Sequence, residues 1–326
     1  MSSSGPLRFH PLFRRYLWGG RRLESMFGKS LPPGNDYAES WELVDHGADQ
    51  SVVLAGPYAG ESFGSLLAAH GREWLGSDLP TGMRFPLLFK FLDAHQALSV
   101  QVHPDDAQAA RQTTPDLGKT EAWVVLHADP GAVLYAGLKR GFDRPALERE
   151  VHRGTTHLGL HRCEPKAGEC YFIPAGTVHA LGAGLVVAEI QQSSDSTYRL
   201  FDWNRVGPDG KSRPLHIAQA LDAIDYQLGP VGPRPPLPTE RAGVERLAEC
   251  DQFVIDRWRL DAPAELPTLG RFQVLMVLTG AVEVGGDPAS RPLSRGETMF
   301  VPASRESVRL APLGAAELLV SRLPER

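Results

Sequence analysis

The chain has 326 residues, 42% hydrophobic and 22% charged, which suits two domains or one large all-β unit with additions. A formal charge of −5 and a pI near 6.1 argue against a broad nucleic-acid-binding surface, although a local basic pocket for a small anion stays open. No apolar run reaches the roughly 18 residues of a membrane span, and the polar then basic start, Met1 to Arg15, has no signal-peptide core.

A cytoplasmic protein is therefore expected. The cysteines agree: Cys163, Cys170 and Cys250 form no CxxC pair and read as thiols in a reducing compartment. Glycine (33) and proline (27) punctuate short apolar runs, which favours many short strands over long helices. In chain order the strands are expected at Ser51–Leu54, Leu87–Phe91, Leu98–His103, Glu121–Leu126, Cys170–Ile173, Leu185–Gln191, Phe272–Leu278 and Glu317–Val320. Helical spacing is found at Ser62–Leu75, Arg144–Val151 and Pro214–Ile224. The second of these has Asp143 as an N-cap and Pro145 in its first turn.

The Pro-rich stretch Gly229–Pro238 reads as an extended linker. It divides the chain into a unit of residues 1–230, a linker of 231–242 and a unit of 243–326. An internal echo supports that division. GECYFIPAGTVH (Gly168–His179) and GETMFVPASRES (Gly296–Ser307) share G-E-x-x-F-x-P-A, with His179 in the first copy replaced by Ser307 in the second. No histidine follows His216, so the second copy is a poor metal site.

Three segments carry chemistry. In LSVQVHPDD, strand alternation sets Ser99, Gln101 and His103 on one face, opposite Leu98, Val100 and Val102. A solvent-facing sheet would show the same alternation. In GKTEAWVVL, Lys119 and Glu121 share a face with Trp123 and Val125, as in a strand entering a core from a barrel mouth; a charged strand entrance at the surface reads equally well. In PAGTVHA, a rigid turn delivers His179 to the start of a new strand. Together Gln101, His103, Glu121 and His179 offer a mixed N/O donor set that suits zinc, with Mn2+, Co2+ or Fe2+ feasible. In the segment Leu185–Arg205, Glu189 and Gln191 lie on one face, and Arg199 follows. An arginine and a carboxylate beside a metal suit an anionic substrate; a structural pair of Arg199 with Asp195 or Asp202 is the plain alternative.

LSVQVHP, GKTEAW, YFIPAGTVHAL and the Glu189-to-Arg199 segment, with WGG at Trp18–Gly20 and ESWEL at Glu39–Leu43, resemble the type I phosphomannose isomerases, and particularly their short bacterial branch. The resemblance spans nearly the whole chain. It implies a mainly β fold of two cupin (jelly-roll) β-barrels, with a small helical region attached to the N-terminal catalytic one. It implies one metal per chain, held by Gln101, His103, Glu121 and His179, and catalytic roles for Lys119, Glu189 and Arg199. Lys90 and Ser99 fall where the family contacts the substrate phosphate. Its long-branch members carry a helical insertion between the positions of Glu121 and His179 for which this chain lacks room.

The implied reaction interconverts mannose 6-phosphate and fructose 6-phosphate through an enediolate. The partner is a small sugar phosphate, with neither nucleic acid nor membrane involved. A neutral Gln101 leaves a divalent ion with a net charge of about +1, favouring Lewis acidity. Glu189 is the leading general base on the expectation that burial raises its pKa towards neutrality, with Lys119 as the alternative. Three rival readings stand beside this one. An Fe2+ dioxygenase would commonly use two histidines and one carboxylate, which Gln101, Lys119 and Arg199 disfavour. The others are an isomerase of another sugar phosphate and a non-catalytic sugar-phosphate sensor.

Overall fold

The computed structural model describes residues 5–77, 79–80, 82–207 and 210–325; the first four residues of the polar start lie outside them. Every named strand pair is antiparallel. The strands build two face-to-face sandwiches in the jelly-roll manner expected, rather than continuously hydrogen-bonded barrels. The first sandwich sets a six-stranded sheet, centred on Leu185–Gln192 and Leu87–Ala94, against a five-stranded sheet that contains Val100–Val102, His179–Leu181 and Tyr198–Phe201. In the second, eight strands face four.

Strand periodicity explains where the cores sit. Along Leu185–Gln192, Leu185 and Val187 point into the first sandwich with Trp123, Val125 and Leu92. Val186, Ala188 and Ile190 point the other way. That second face is not wet, because it packs on Phe272, Val274, Met276 and Phe300 of the C-terminal unit, with Phe63 and Trp74 between. Both faces of the sheet are thus buried, so its strands read as nearly continuous apolar runs.

All three expected helices form, as Phe63–Leu75, Arg144–Arg153 and Ile217–Ala223. Asp143 caps the second through the Ala146 amide at 2.9 Å. Leu147, Ala220 and Leu221 of the last two helices cover Val100 and Val102 on the outer face of the five-stranded sheet. This leaves Gln101, on the opposite face, turned inward. The small helical region therefore seals the back of the strand that carries the metal-ligand candidates.

The internal echo is a true structural repeat. Gly168 (φ 90°) and Gly296 (φ 81°) both open a turn in the left-handed region. Their amides donate to Val125 and Val277, each at 2.8 Å, and those residues' amides donate back to Glu169 and Glu297. The register then places Ile173 opposite Glu121 and Val301 opposite Gln273. The second unit therefore has Gln273 in place of Glu121, besides Ser307 in place of His179.

The two units are interlocked more than a linker between them suggests. The strand Leu7–His10 joins the C-terminal sheet, with Leu7 opposite Phe300. The stretch 231–242 is fastened along the first sandwich by Val231 N–H to the Ala136 carbonyl and Arg234 N–H to that of Cys170. Arg8 reaches across the junction to Asp287, to Glu297 and to the Arg291 carbonyl, with Arg8 and Asp287 both buried. Removing one partner of a buried ion pair strands the other. Arg8→Ala is expected to cost about 3–5 kcal/mol, checked as a lower urea midpoint with an unchanged slope; an unchanged midpoint would remove this anchor.

Candidate active site

The interior of the first sandwich gathers the polar side chains that the alternation pattern singled out. Gln101 is flanked on both sides in its sheet, paired with His179 on one side and Arg199 on the other. On the facing sheet Glu189 lies between Lys90 and Trp123, and Gln191 is opposite Glu121. Two strand periods from two sheets therefore aim at one space.

His103, Glu121 and His179 are buried, and their donor atoms all lie within 4.8 Å of one another. His103 Nδ1 donates to the Ser196 carbonyl and His179 Nδ1 to that of Thr177, each at 2.8 Å. These bonds fix the tautomer and leave both Nε2 lone pairs facing inward. They stand 3.5 and 3.3 Å from the two Glu121 oxygens. Glu121 Oε1 is buried and accepts no hydrogen bond. Lys119 and the Gln101 amide nitrogen face the two Nε2 atoms, and Glu121 Oε1 alone has no donor, a need that a cation among the three ligand residues would meet. The donor set therefore fits a divalent ion.

Lys119 supplies part of that positive charge, donating to Glu121 Oε2 at 2.7 Å and to His103 Nε2 at 2.9 Å. Burial pushes Glu121 up to about 7 against the pull of Lys119. Burial brings His179 down to about 4, and burial together with Lys119 holds His103 well below its ordinary value. Both imidazoles are thus neutral at pH 7, as ligation requires. The Gln101 amide borders the cluster, 3.4 Å from His179 Nε2, and accepts from the Ser99 hydroxyl at 3.2 Å.

Beside the cluster opens a cleft of about 260 Å³, lined among others by Tyr16, Lys90, Ser99, Gln101, Asp195, Arg199 and Arg213. Arg199 donates to the Pro214 carbonyl at 2.8 Å, and its Nε is buried without a partner. Burial, then the neighbouring Arg213, lowers its pKa. Neither carboxylate weighed for it pairs with it. Asp202 instead grips Arg205 and, at 2.5 and 2.8 Å, Arg213.

Burial and charge pairing define two further residues, and at Glu189 they reverse the sequence expectation. Lys90 is buried between Glu39 at 3.4 Å and Glu189 at 3.2 Å, so its charge is already matched. Burial opposes that charge, but the two carboxylates outweigh it and raise its pKa. Glu189 also accepts from the Trp123 indole at 2.9 Å. Burial raises its carboxyl, yet Lys90 and Lys119 prevail, so its pKa is lowered rather than raised towards neutrality.

Sequence reading missed Arg213 and the cleft-facing role of Asp195. Both are cleft-lining charges on segments without strand periodicity, and no pattern marks them.

A cupin interior with a candidate imidazole–carboxylate metal site, opening onto a cleft with an arginine that has no carboxylate partner among the described residues, has the make-up of an enzyme that acts on a small anion. Residues 7–130 match the phosphomannose isomerase type I catalytic domain, and residues 244–323 the cupin domain of mannose-6-phosphate isomerase. The mannose-6-phosphate isomerase ManA of Bacillus subtilis is 35% identical over 98% of this chain and 99% of its own length. The mannose-6-phosphate isomerase of Streptococcus mutans is 33% identical over 93% of this chain and 94% of its own. The crystal structure of the Bacillus subtilis mannose 6-phosphate isomerase superposes with a TM-score of 0.89 at 31% identity, covering 98% of this chain and 99% of that one. The chain belongs to the type I phosphomannose isomerase family. No helix among the described residues is long and apolar enough to cross a membrane.

Proposed function

We propose that the protein interconverts mannose 6-phosphate and fructose 6-phosphate with one divalent ion, zinc by its donor chemistry, held by His103, Glu121 and His179 with Gln101 as the fourth ligand. The observation that carries this reading is the gathering of two neutral Nε2 atoms and a buried carboxylate within 4.8 Å of one another, with Glu121 Oε1 lacking any donor of its own. A bound divalent ion supplies Lewis acidity to the sugar's carbonyl and hydroxyl oxygens as negative charge develops at C1 and C2.

The chain's own residues do the rest. Arg199 and Arg213 share one wall of the cleft; Arg213 is paired with Asp202, whereas Arg199 has a free Nε and can meet a phosphate dianion. Ser99 lines the same cleft and can add a hydroxyl contact. Lys90 lines the cleft as well, and is the counter-ion to Glu39 and Glu189.

Proton transfer from C2 to C1 needs a carboxylate that the sugar can reach. Glu39 and Asp195 are the two carboxylates of the cleft wall, and Glu39 is engaged by Trp41 and Lys90. Asp195 is exposed, its side chain has no ion-pair partner among the described residues, and it is the better-placed base. Glu189, deep and ionised, sets the field beneath the site, while Lys119 orients Glu121 and His103.

The test is an assay of purified protein with mannose 6-phosphate, before and after chelation and with Zn2+ restored. Activity should vanish with the chelator and return with the metal. Absence of fructose 6-phosphate under metal-replete conditions would sink the proposal. Formation of product with metal fully removed would sink the metal's part in it.

A further inference from the structure

Asp116 lies between the short helix Asp106–Ala109 and the strand Glu121–Ala128, outside the cleft and outside the metal cluster. Its side chain is 11% exposed and accepts from five donors. Oδ1 takes Arg84 Nη2 at 2.7 Å and the Leu117 amide at 2.9 Å. Oδ2 takes the Ser194 hydroxyl at 3.0 Å, His46 Nε2 at 3.1 Å and the Asp195 amide at 3.3 Å. Four are N–H or O–H donors and His46 Nε2 joins them when it carries a proton, a set that the ionised carboxylate satisfies in full. Burial opposes that charge, but the bonds from His46, Arg84 and Leu117 outweigh it and hold the carboxyl well below its usual range.

Two of the five donors belong to the loop 193–197, and this loop carries functional groups in both directions. It presents Asp195 and Thr197 to the cleft and leads directly into Arg199. Its Ser196 carbonyl fixes the tautomer of His103. The same segment as Asp116 ties the loop twice more, because Ser196 Oγ donates to Gln112 Oε1 at 3.0 Å and Gln112 Nε2 donates to the Tyr198 hydroxyl at 2.8 Å. Arg84, besides gripping Asp116, reaches the Ser193 carbonyl at 3.0 Å.

We infer that Asp116 is a positioning residue for the isomerisation: backed by His46 and Arg84, it holds the loop 193–197 so that Asp195, Arg199 and the Ser196 carbonyl meet the substrate and His103 in register. This rests on the isomerase reading above. Small displacements of reacting groups cost large factors in rate, whereas a loop held for stability alone would affect the unfolding midpoint and little else.

Asp116→Asn keeps the shape but turns an N–H₂ towards donors on one side. At saturating zinc it should lower kcat for mannose 6-phosphate about 10–100-fold. Amide hydrogen exchange across residues 193–199 should quicken by about tenfold or more, with the strand Leu185–Gln192 still protected. Ser194→Ala removes the hydroxyl that donates to Asp116 and accepts from the Ser196 amide, and it decides the matter if the Asn variant does not fold. Its kcat should fall about 3–10-fold in protein that is still fully folded at the assay temperature. A kcat within twofold of the parent, with unaltered local exchange, would overturn the inference. Should the parent protein make no fructose 6-phosphate, the isomerase reading fails on its own account, and the exchange measurement alone decides whether Asp116 holds the loop.

Discussion

His179→Ala is expected to lose its bound metal and to lower kcat/KM by about a thousandfold or more while the protein stays folded. The imidazole supplies one of two neutral nitrogen donors, and its removal leaves His103, Glu121 and the weakly donating Gln101 amide. Three donors that include a neutral amide hold a divalent ion far less well than four with two imidazoles. Folding should survive, because the strand His179–Leu181 is fixed by backbone pairing to Leu134–Leu138 and to Gln101, not by the ring. Metal content by atomic emission, circular dichroism and the isomerase assay separate these effects. A variant with unchanged metal content would take His179 out of the ligand set. The second unit makes the same point within the one chain: its equivalents of Glu121 and His179 are Gln273 and Ser307, and no histidine lies nearby in sequence. A stoichiometry of one metal per chain is therefore the expected result of the same metal analysis.

Much of the first unit's site was legible because it is built from strands, and strand alternation is a strong signal. Val100 and Val102 under the helices, with Gln101 on the other face, follow from a period of two residues. The echo at Gly168 and Gly296 was visible for a similar reason, since the turn and strand leave a glycine and a proline at fixed places. The equivalence of Glu121 with Gln273 was not visible. The first unit inserts the helix Arg144–Arg153 between the matching strands, so the two copies fall out of step in sequence and only hydrogen-bond register aligns them.

Another part of what sequence missed comes from the pairing of buried charges between distant segments. The strand Tyr37–Leu43 is buried along its whole length although it contains Glu39 and Glu42. Glu42 is neutralised by Lys29 at 2.7 Å, and Glu39 shares Lys90 with Glu189. Neither pairing leaves a local pattern, so a segment with two carboxylates did not read as a core strand. The same pairing reverses the expectation for Glu189. Burial does raise a carboxyl, but an ammonium 3.2 Å away in the same dry interior outweighs it. Lys90 likewise looked free for a phosphate because its two partners lie on other strands.

Arg199→Ala should keep the metal and lose about a hundredfold to a thousandfold in kcat/KM. The guanidinium is half-buried, carries an Nε with no partner, and is pressed by Arg213, so its charge is maintained at a cost that a bound anion would relieve. Truncation removes a bidentate donor to the phosphate or to the developing oxyanion, and no neighbouring lysine is free to replace it, since Lys90 is held by two carboxylates. Arg199→Lys sharpens the test. It restores a charge but not the planar fork, and the Pro214 carbonyl that now orients the guanidinium would meet a shorter donor. Recovery of less than about a tenth of the lost activity is expected, because geometry as well as charge is required. If the loss lies mainly in KM, Arg199 grips the phosphate in ground and transition state alike; if mainly in kcat, it meets the oxyanion. Near-normal turnover in the alanine variant would return Arg199 to a structural role, with the Pro214 contact as its whole function.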